Sequence, residues 1–355
     1  MNLFGRILGA NPAHKAARPV VHLINPMNNP FGGSENRTAE LYALLSGFAD
    51  VSVWSEHKIC NELAQRLPIK KINSHFGKYP KGGTLVFIGC YFRIGSWIKH
   101  FKPGRVIGLY NTPDEQNLEQ FLAYLRAVDL ESVCEFVYAS EWLRTRTALP
   151  GVVQMSPIDL NRFRPAPRRL LESRRFTVGR LSRDVLAKHH PEDIAVYQSL
   201  AGMGITSRIM GGTVLKEVLG DEPGVVLLPE GTEPAEVFFQ SLDCFFYRTS
   251  PEWREPHGRV VTEAMASGLP VVCGSDGGYC EFLEHEKNGF LFDDNLEALE
   301  IIKKLCHEPE YAAQIGIAAR KAMEEKFSES AMLEVASYYL NSSKVDHKLH
   351  ATTVR

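Results

Sequence analysis

The sequence predicts two consecutive α/β domains, each a parallel sheet wrapped by helices. Three observations carry this. The chain has 355 residues, more than one ordinary core encloses, and domains of roughly 150 residues are the usual solution. Short β-branched runs alternate with longer helical patterns, the mark of parallel strands joined by crossover helices. The alternation breaks once, between Arg162 and Arg175, in a stretch rich in Pro and Arg that has no strand pattern, and then restarts. That break reads as a linker.

In the first half, Pro19 to Ile24 reads as a buried strand. Gly32-Gly33 punctuate a loop, and Ser34 to Leu45 reads as a helix with Leu41, Leu44 and Leu45 on one face. Val51 to Trp54, Thr84 to Ile88, Arg105 to Leu109 and Glu135 to Ala139 follow as strands, and Ser140-Glu141-Trp142 opens a helix. In the second half the strand candidates are Phe176 to Gly179, Ser207 to Met210, Val225 to Leu228, Cys244 to Tyr247 and Pro270 to Cys273. Ser328 to Leu340 is a final helix, and the polar stretch from Asn341 to Arg355 is expected to fray. Two such domains leave a cleft between them, and clefts outside strand C-termini are where ligands bind.

Composition excludes several classes. Hydrophobic residues make up 44% and charged residues 23%, the balance of a globular protein rather than a disordered or fibrous one. No apolar run approaches the roughly 18 residues of a membrane span. Met1 to Arg18 offers only Leu3-Phe4 and Ile7-Leu8, broken by Arg6, too little for a secretory signal. Seven cysteines without a Cys-x-x-Cys pair indicate neither a disulfide framework nor a zinc site, and a reducing cytoplasm is the expected compartment.

Charge is uneven. Residues 1–165 carry 19 Lys and Arg against 13 Asp and Glu, residues 166–355 carry 21 against 29. Lys70, Lys71, Lys78, Lys81, Arg93, Lys99, Lys102 and Arg105 account for much of the basic half. Such a half fits an anionic membrane surface or a lipid-phosphate substrate, with peripheral association at the inner membrane face; a solvated lysine-rich face is the alternative. Nucleic acid is not expected, because no aromatic stacking pattern is interleaved with the basic residues.

The most informative segment runs from Glu255 to Val272, Glu-Pro-His-Gly-Arg-Val-Val-Thr-Glu-Ala-Met-Ala-Ser-Gly-Leu-Pro-Val-Val. A loop carboxylate, Glu255, precedes a helix that carries a second, Glu263. With residues 259–267 helical, the two lie at most roughly 12 Å apart along the axis at about 1.5 Å per residue. That span suits the two ends of an extended ligand. It exceeds the roughly 5–9 Å of carboxylates acting on one glycosidic bond. The free amides of His257, Gly258, Arg259, Val260 and Val261 sit at the positive end of the helix, where a diphosphate is stabilised.

This string resembles the Glu-x7-Glu signature of the retaining, nucleotide-sugar-dependent glycosyltransferases of group 1 (family 4), which have the two-Rossmann GT-B fold. The resemblance implies that Glu255 binds the donor sugar hydroxyls, that Glu263 binds the ribose, and that the amides between them approach sugar and phosphates. The usual pattern has Phe-Gly where this chain has His257-Gly258. Val178-Gly-Arg180-Leu-Ser182 with Lys188 is similar to the family's Gly-Arg-Leu…Lys pair on the donor diphosphate. The wider spacing here leaves Arg183 as an alternative to Arg180. Arg and Lys suit that place as charge-assisted donors to phosphate oxygens. Gly32-Gly33-Ser34-Glu35 is similar to the family's N-terminal glycine loop, where a missing side chain lets backbone approach the ligand. Ser156 to Pro165, Asn288 to Phe292 and Phe327-Ser328 extend the likeness to residues 20–340. Tyr110 and Asn111 lie where the family places acceptor-side groups, although a helix-start turn explains them equally well.

The resemblance implies an acceptor domain over residues 1–162, a linker over 163–175 and a nucleotide-sugar domain over 176–327. A helix over 328–341 returns to the first domain, and 342–355 form a tail. It implies transfer of a sugar from a nucleotide-diphosphate sugar to a glycan or lipid-linked acceptor with retention of configuration, without cofactor or metal. A catalytically inactive sugar-nucleotide-binding subunit is the alternative. An oxidoreductase is disfavoured, because neither Gly32-Gly33 nor Gly211-Gly212 has the Gly-x-Gly-x-x-Gly spacing. Asp293-Asp294 precede a helical run and read as its cap rather than a metal pair. His189-His190 read as flanking the phosphate loop.

Overall fold

The computed structural model describes residues 18–166 and 175–341. In the first domain β1 (Val20–Ile24), β2 (Asp50–Ser55), β3 (Ile69–Lys71), β4 (Thr84–Ile88), β5 (Arg105–Tyr110), β6 (Cys134–Tyr138) and β7 (Gly151–Val153) form a sheet in the order β3-β2-β1-β4-β5-β6-β7. In the second, β8 (Thr177–Leu181), β9 (Thr206–Met210), β10 (Val225–Leu228), β11 (Cys244–Tyr247), β12 (Val271–Gly274) and β13 (Phe290–Phe292) take the order β10-β9-β8-β11-β12-β13. The pairings of both ladders are parallel. This is the GT-B architecture.

Strands covered on both faces read as continuous apolar runs. Thus Thr84-Leu-Val-Phe-Ile and Cys244-Phe-Phe-Tyr are buried throughout. The strands absent from the ten strand candidates are β3, β7 and β13, three residues each at the sheet edges. Strand order reverses between β1 and β4 and between β8 and β11, which opens a crevice at the C-terminal end of each sheet. The loops after β1 and β8 therefore face the space between the domains.

One apolar cluster runs from Leu23 and Leu44 through Ile158 and Phe163 to Val261, Phe327 and Tyr339, so the domains share a core at their junction. Phe163 and Pro165, expected in the linker, are docked on the second domain instead. The Phe163 ring packs edge-on to Phe239, and Pro165 lies against Gly268. Of the expected linker, residues 167–174 lie outside the described residues, as do residues 342–355 of the expected tail. The last helix, Glu329–Leu340, is capped by Ser328 and reaches the first domain, where the Tyr338 carbonyl accepts from Arg105. Arg105 corrects the expected basic face. It is buried, with Nε and Nη2 on the two Glu135 oxygens at 2.7 and 2.6 Å. No helix among the described residues is long and apolar enough to cross a membrane.

Candidate functional site

Glu255 sits on the loop between β11 and the helix Arg259–Ala266. Its Oε2 accepts from Lys188 Nζ at 2.6 Å and from the Tyr247 hydroxyl at 2.9 Å. Burial pushes this carboxyl up, yet Lys188 and the Tyr247 hydrogen bond hold it below the ordinary glutamate value. Lys188 ends the short turn Leu186–Lys188, and its Nζ lies 4.8 Å from the Trp253 ring centroid. The ammonium is thus held between an aromatic face and a carboxylate.

Arg180 lies one layer deeper. Its side chain is fully buried, with the guanidinium 4.7 Å from the Tyr247 ring centroid. Nη2 donates to the Lys188 carbonyl, and Nε donates to His189 Nδ1 at 3.2 Å. His189 Nε2 reaches the Gly211 carbonyl at 2.8 Å. That pair of contacts requires the neutral tautomer with the proton on Nε2, and burial with the neighbouring Arg180 charge takes His189 down to about 3. Arg180 Nη1 has no hydrogen-bond partner among the described residues. Arg183, the alternative to Arg180, stands exposed in the loop after β8.

The helix Arg259–Ala266 begins behind Gly258, which has φ 79°. A Cβ there would lie 2.7 Å from Tyr279 Cδ1, so glycine is required by conformation and by space. The Val261 amide bonds the Gly258 carbonyl, whereas the amides of His257, Gly258, Arg259 and Val260 form no bond among the described residues. They present the partial positive charge of the helix to the cleft. Glu263 is buried one turn in. Its Oε1 accepts from Arg259 Nε at 2.7 Å, and burial raises its carboxyl. Arg259 Nη1 crosses to the first domain, donating to Ser156 Oγ at 2.8 Å and the Pro157 carbonyl at 2.9 Å. His257 is buried beside Phe282, and burial together with the Arg37 charge takes it down to about 3.

On the facing domain, Gly32 and Gly33 start the helix Gly33–Leu45. A Cβ at Gly32 would fall 2.0 Å from Glu35 Oε2, while one at Gly33 would meet nothing within 4 Å. Gly33 therefore leaves open backbone toward the cleft, and Gly32 makes room for Glu35, which Ser34 Oγ bonds at 2.9 Å. Tyr110 ends β5. Its ring is buried edge-on to Tyr138, its hydroxyl bonds backbone at Asp114, and burial pushes it up to about 12. Asn111 follows in the turn with Thr112. No hydrogen bond or ion pair joins either residue to the Glu255 cluster among the described residues.

Three contacts escaped sequence reasoning. Tyr247 and Trp253 support the Lys188–Glu255 pair; a strand-terminal Tyr and a loop Trp just before Glu255 were the available signal. The third is a clasp between domains. Glu281 accepts from the Glu141 and Trp142 amides, both at 2.8 Å, while Arg254 covers the Trp142 ring at 4.8 Å. Asp294 caps the helix Asn295–His307 through the Glu297 amide at 2.9 Å. Among the described residues no group of three or more His, Cys, Asp or Glu is placed to hold a metal ion.

A parallel two-sheet protein with a cation, a carboxylate and a bare helix N-terminus in its cleft defines the GT-B class. Residues 225–322 match the family described as Glycosyl transferases group 1. It is similar to the human alpha-1,3/1,6-mannosyltransferase ALG2, 36% identical over 28% of this chain and 24% of that one. It is also similar to the capsular polysaccharide biosynthesis glycosyltransferase CapM of Staphylococcus aureus, 26% identical over 50% of this chain and 48% of that one. The alignments thus span a quarter to a half of those relatives. Among solved structures, Anabaena HepE in complex with UDP and glucose superposes with a TM-score of 0.70 at 17% identity, covering 90% of this chain and 99% of that one. WaaG, a glycosyltransferase involved in lipopolysaccharide biosynthesis, gives 0.60 at 13% identity over 90% and 99%.

Proposed function

We propose that this protein transfers a sugar from a nucleoside-diphosphate sugar to a glycan or lipid-linked acceptor, with retention of anomeric configuration and without a metal ion. The observation that carries the reading is the Lys188–Glu255 pair beside the unbonded amides Gly258 to Val260. A cation and a helix N-terminus together stabilise a diphosphate, and charge on it grows as the glycosidic bond breaks. Glu255 offers acceptor oxygens to sugar hydroxyls, and Glu263 is the group assigned to the ribose. Gly33 and Gly258 let backbone approach the ligand. Arg180 acts through Lys188, whose carbonyl it holds, with Arg183 left to meet phosphate from the loop.

Two features favour retention without a covalent intermediate. Glu263 is already engaged by Arg259, and among the described residues no hydrogen bond or ion pair links Glu255 to a second carboxylate that could serve double displacement. Front-face attack, with the leaving phosphate taking the acceptor proton, needs only positioning and charge stabilisation from the protein. Lys188 and the amides supply that charge, so a divalent ion is dispensable. The neighbour solved with UDP-glucose makes UDP-sugars the first donors to try. The test is a panel of nucleotide sugars with and without EDTA, the product's anomeric configuration read by NMR. A retained product insensitive to chelation is expected. An inverted product, or activity abolished by EDTA and restored by magnesium, overturns the mechanism.

A further inference from the structure

Residues 69–83 carry four lysines and no acidic residue. They form β3 and the turn Ser74–Phe76, closed by an antiparallel bridge between Asn73 and Lys78. Asn73 Oδ1 accepts from the His75 and Phe76 amides at 3.1 and 3.3 Å, and Gly77 turns the chain back at φ 63°. The tip is therefore a built turn. It holds Phe76 outward at 77% exposure, above the other exposed large hydrophobics of the described chain.

Around it lies a pocket of about 410 Å³ lined by Trp54, Lys70, Lys71, Gly77, Lys78 and Tyr79. Lys70 Nζ lies over Trp54 at 5.2 Å and Lys81 Nζ over Tyr79 at 5.6 Å. Among the described residues Lys70, Lys78 and Lys81 form no ion pair with an acidic side chain, whereas Lys71 lies close enough to Glu56 for its charge to favour that carboxylate. Lys71 Nζ is also bound by the Glu56 and His57 carbonyls, which fix its place. An aromatic tip beside the ammonium groups of Lys70, Lys78 and Lys81 has the two components of interfacial membrane binding: apolar area to insert and positive charge for lipid phosphates. Trp54 and Tyr79 lie under lysines rather than as open stacking faces, which argues against single-stranded nucleic acid. Because the sheet is parallel, the C-terminal end of β3 lies at the same sheet end as the Gly32–Gly33 loop.

We propose that this face docks the first domain on an anionic phospholipid bilayer, with Phe76 in the interface and one lipid headgroup phosphate in the lysine pocket. The proposal concerns a surface away from the Glu255 cluster and stands whether or not the donor reading holds.

The test is sedimentation of the full chain with phosphatidylglycerol-containing vesicles and with pure phosphatidylcholine vesicles, at low and high salt. Binding to the anionic vesicles alone, released by salt, is expected. Lys78→Gln with Lys81→Gln should weaken partitioning about 30-fold, at about 1 kcal/mol per surface charge. Phe76→Ser should weaken it about 10-fold. Both leave nucleoside diphosphate affinity unchanged, and unaltered circular dichroism reports an intact fold. Absence of anionic vesicle binding, or equal binding by wild type and variants, overturns the proposal. So does displacement by soluble glycerol phosphate at low concentration, which would mark a free-phosphate site, or preferential capture of single-stranded nucleic acid.

Discussion

Glu255→Gln should tighten binding of a bare nucleoside diphosphate while slowing sugar transfer. Lys188 Nζ is committed to Glu255 Oε2 at 2.6 Å. To meet a diphosphate, the ammonium must surrender part of that contact. Glutamine keeps the shape and a hydrogen bond but lacks the charge. A charge-assisted bond contributes about 1.5–3 kcal/mol and a neutral one about 0.5–1.5, so the release becomes easier by about 1–1.5 kcal/mol. That corresponds to about 5- to 12-fold tighter diphosphate binding. Transfer moves the other way, because the amide grips the sugar hydroxyls less strongly. Lys188→Met should lower the transfer rate about 10- to 150-fold, the equivalent of one charge-assisted contact in the transition state. On a Lys188→Met background, Glu255→Gln should no longer tighten the diphosphate, since contacting residues are not additive. Isothermal titration of UDP against the four proteins, beside steady-state kinetics, decides the matter. A Glu255→Gln protein that binds UDP more weakly, or one whose gain survives without Lys188, would refute the exchange.

Acid should destabilise the fold through its buried histidines. His257 stands at about 3 against an ordinary 6.5, so between those values the unfolded chain binds a proton that the folded one refuses, and stability falls with pH below 6.5. At pH 5 the loss is about 2 kcal/mol for that group. His257→Phe should therefore reduce the stability difference between pH 7.5 and pH 5 by about 2 kcal/mol in urea unfolding, and an unchanged difference would show that the ring titrates normally. Glu281→Ala removes both bonds to the helix Glu141–Thr145. The loss of that clasp, about 1 kcal/mol by analogy with helix capping, should raise the solution radius of gyration and the donor KM about 5-fold; identical scattering curves would count against it.

How far the sequence speaks depends on what the residue letters encode. Thr84 to Ile88 was legible to the residue because a strand covered on both faces must be apolar throughout. Ile69–Lys71 was not, because an edge strand with two exposed lysines looks like a loop. The Glu255 and Glu263 constellation was legible because its loop, helix and following strand are contiguous. Its supports were not: Tyr247 reaches Glu255 only because β11 ends beneath that loop, and His189 meets Arg180 only because the chain turns back after β8. Charge letters carry no depth. Arg105 counted as surface and is buried on Glu135, and Arg180 counted as a phosphate ligand and lies under Lys188.

Release of nucleoside diphosphate from a panel of nucleotide sugars, by the wild-type chain and by Lys188→Met, asks whether this cleft activates a donor at all. At least one donor should release its diphosphate at a rate that Lys188→Met lowers about 10-fold or more. A chain that binds nucleoside diphosphate yet releases none from any donor would be a sugar-nucleotide-binding subunit instead, and equal release by both proteins would mean that Lys188 and the Gly258–Val260 amides are not where the diphosphate departs.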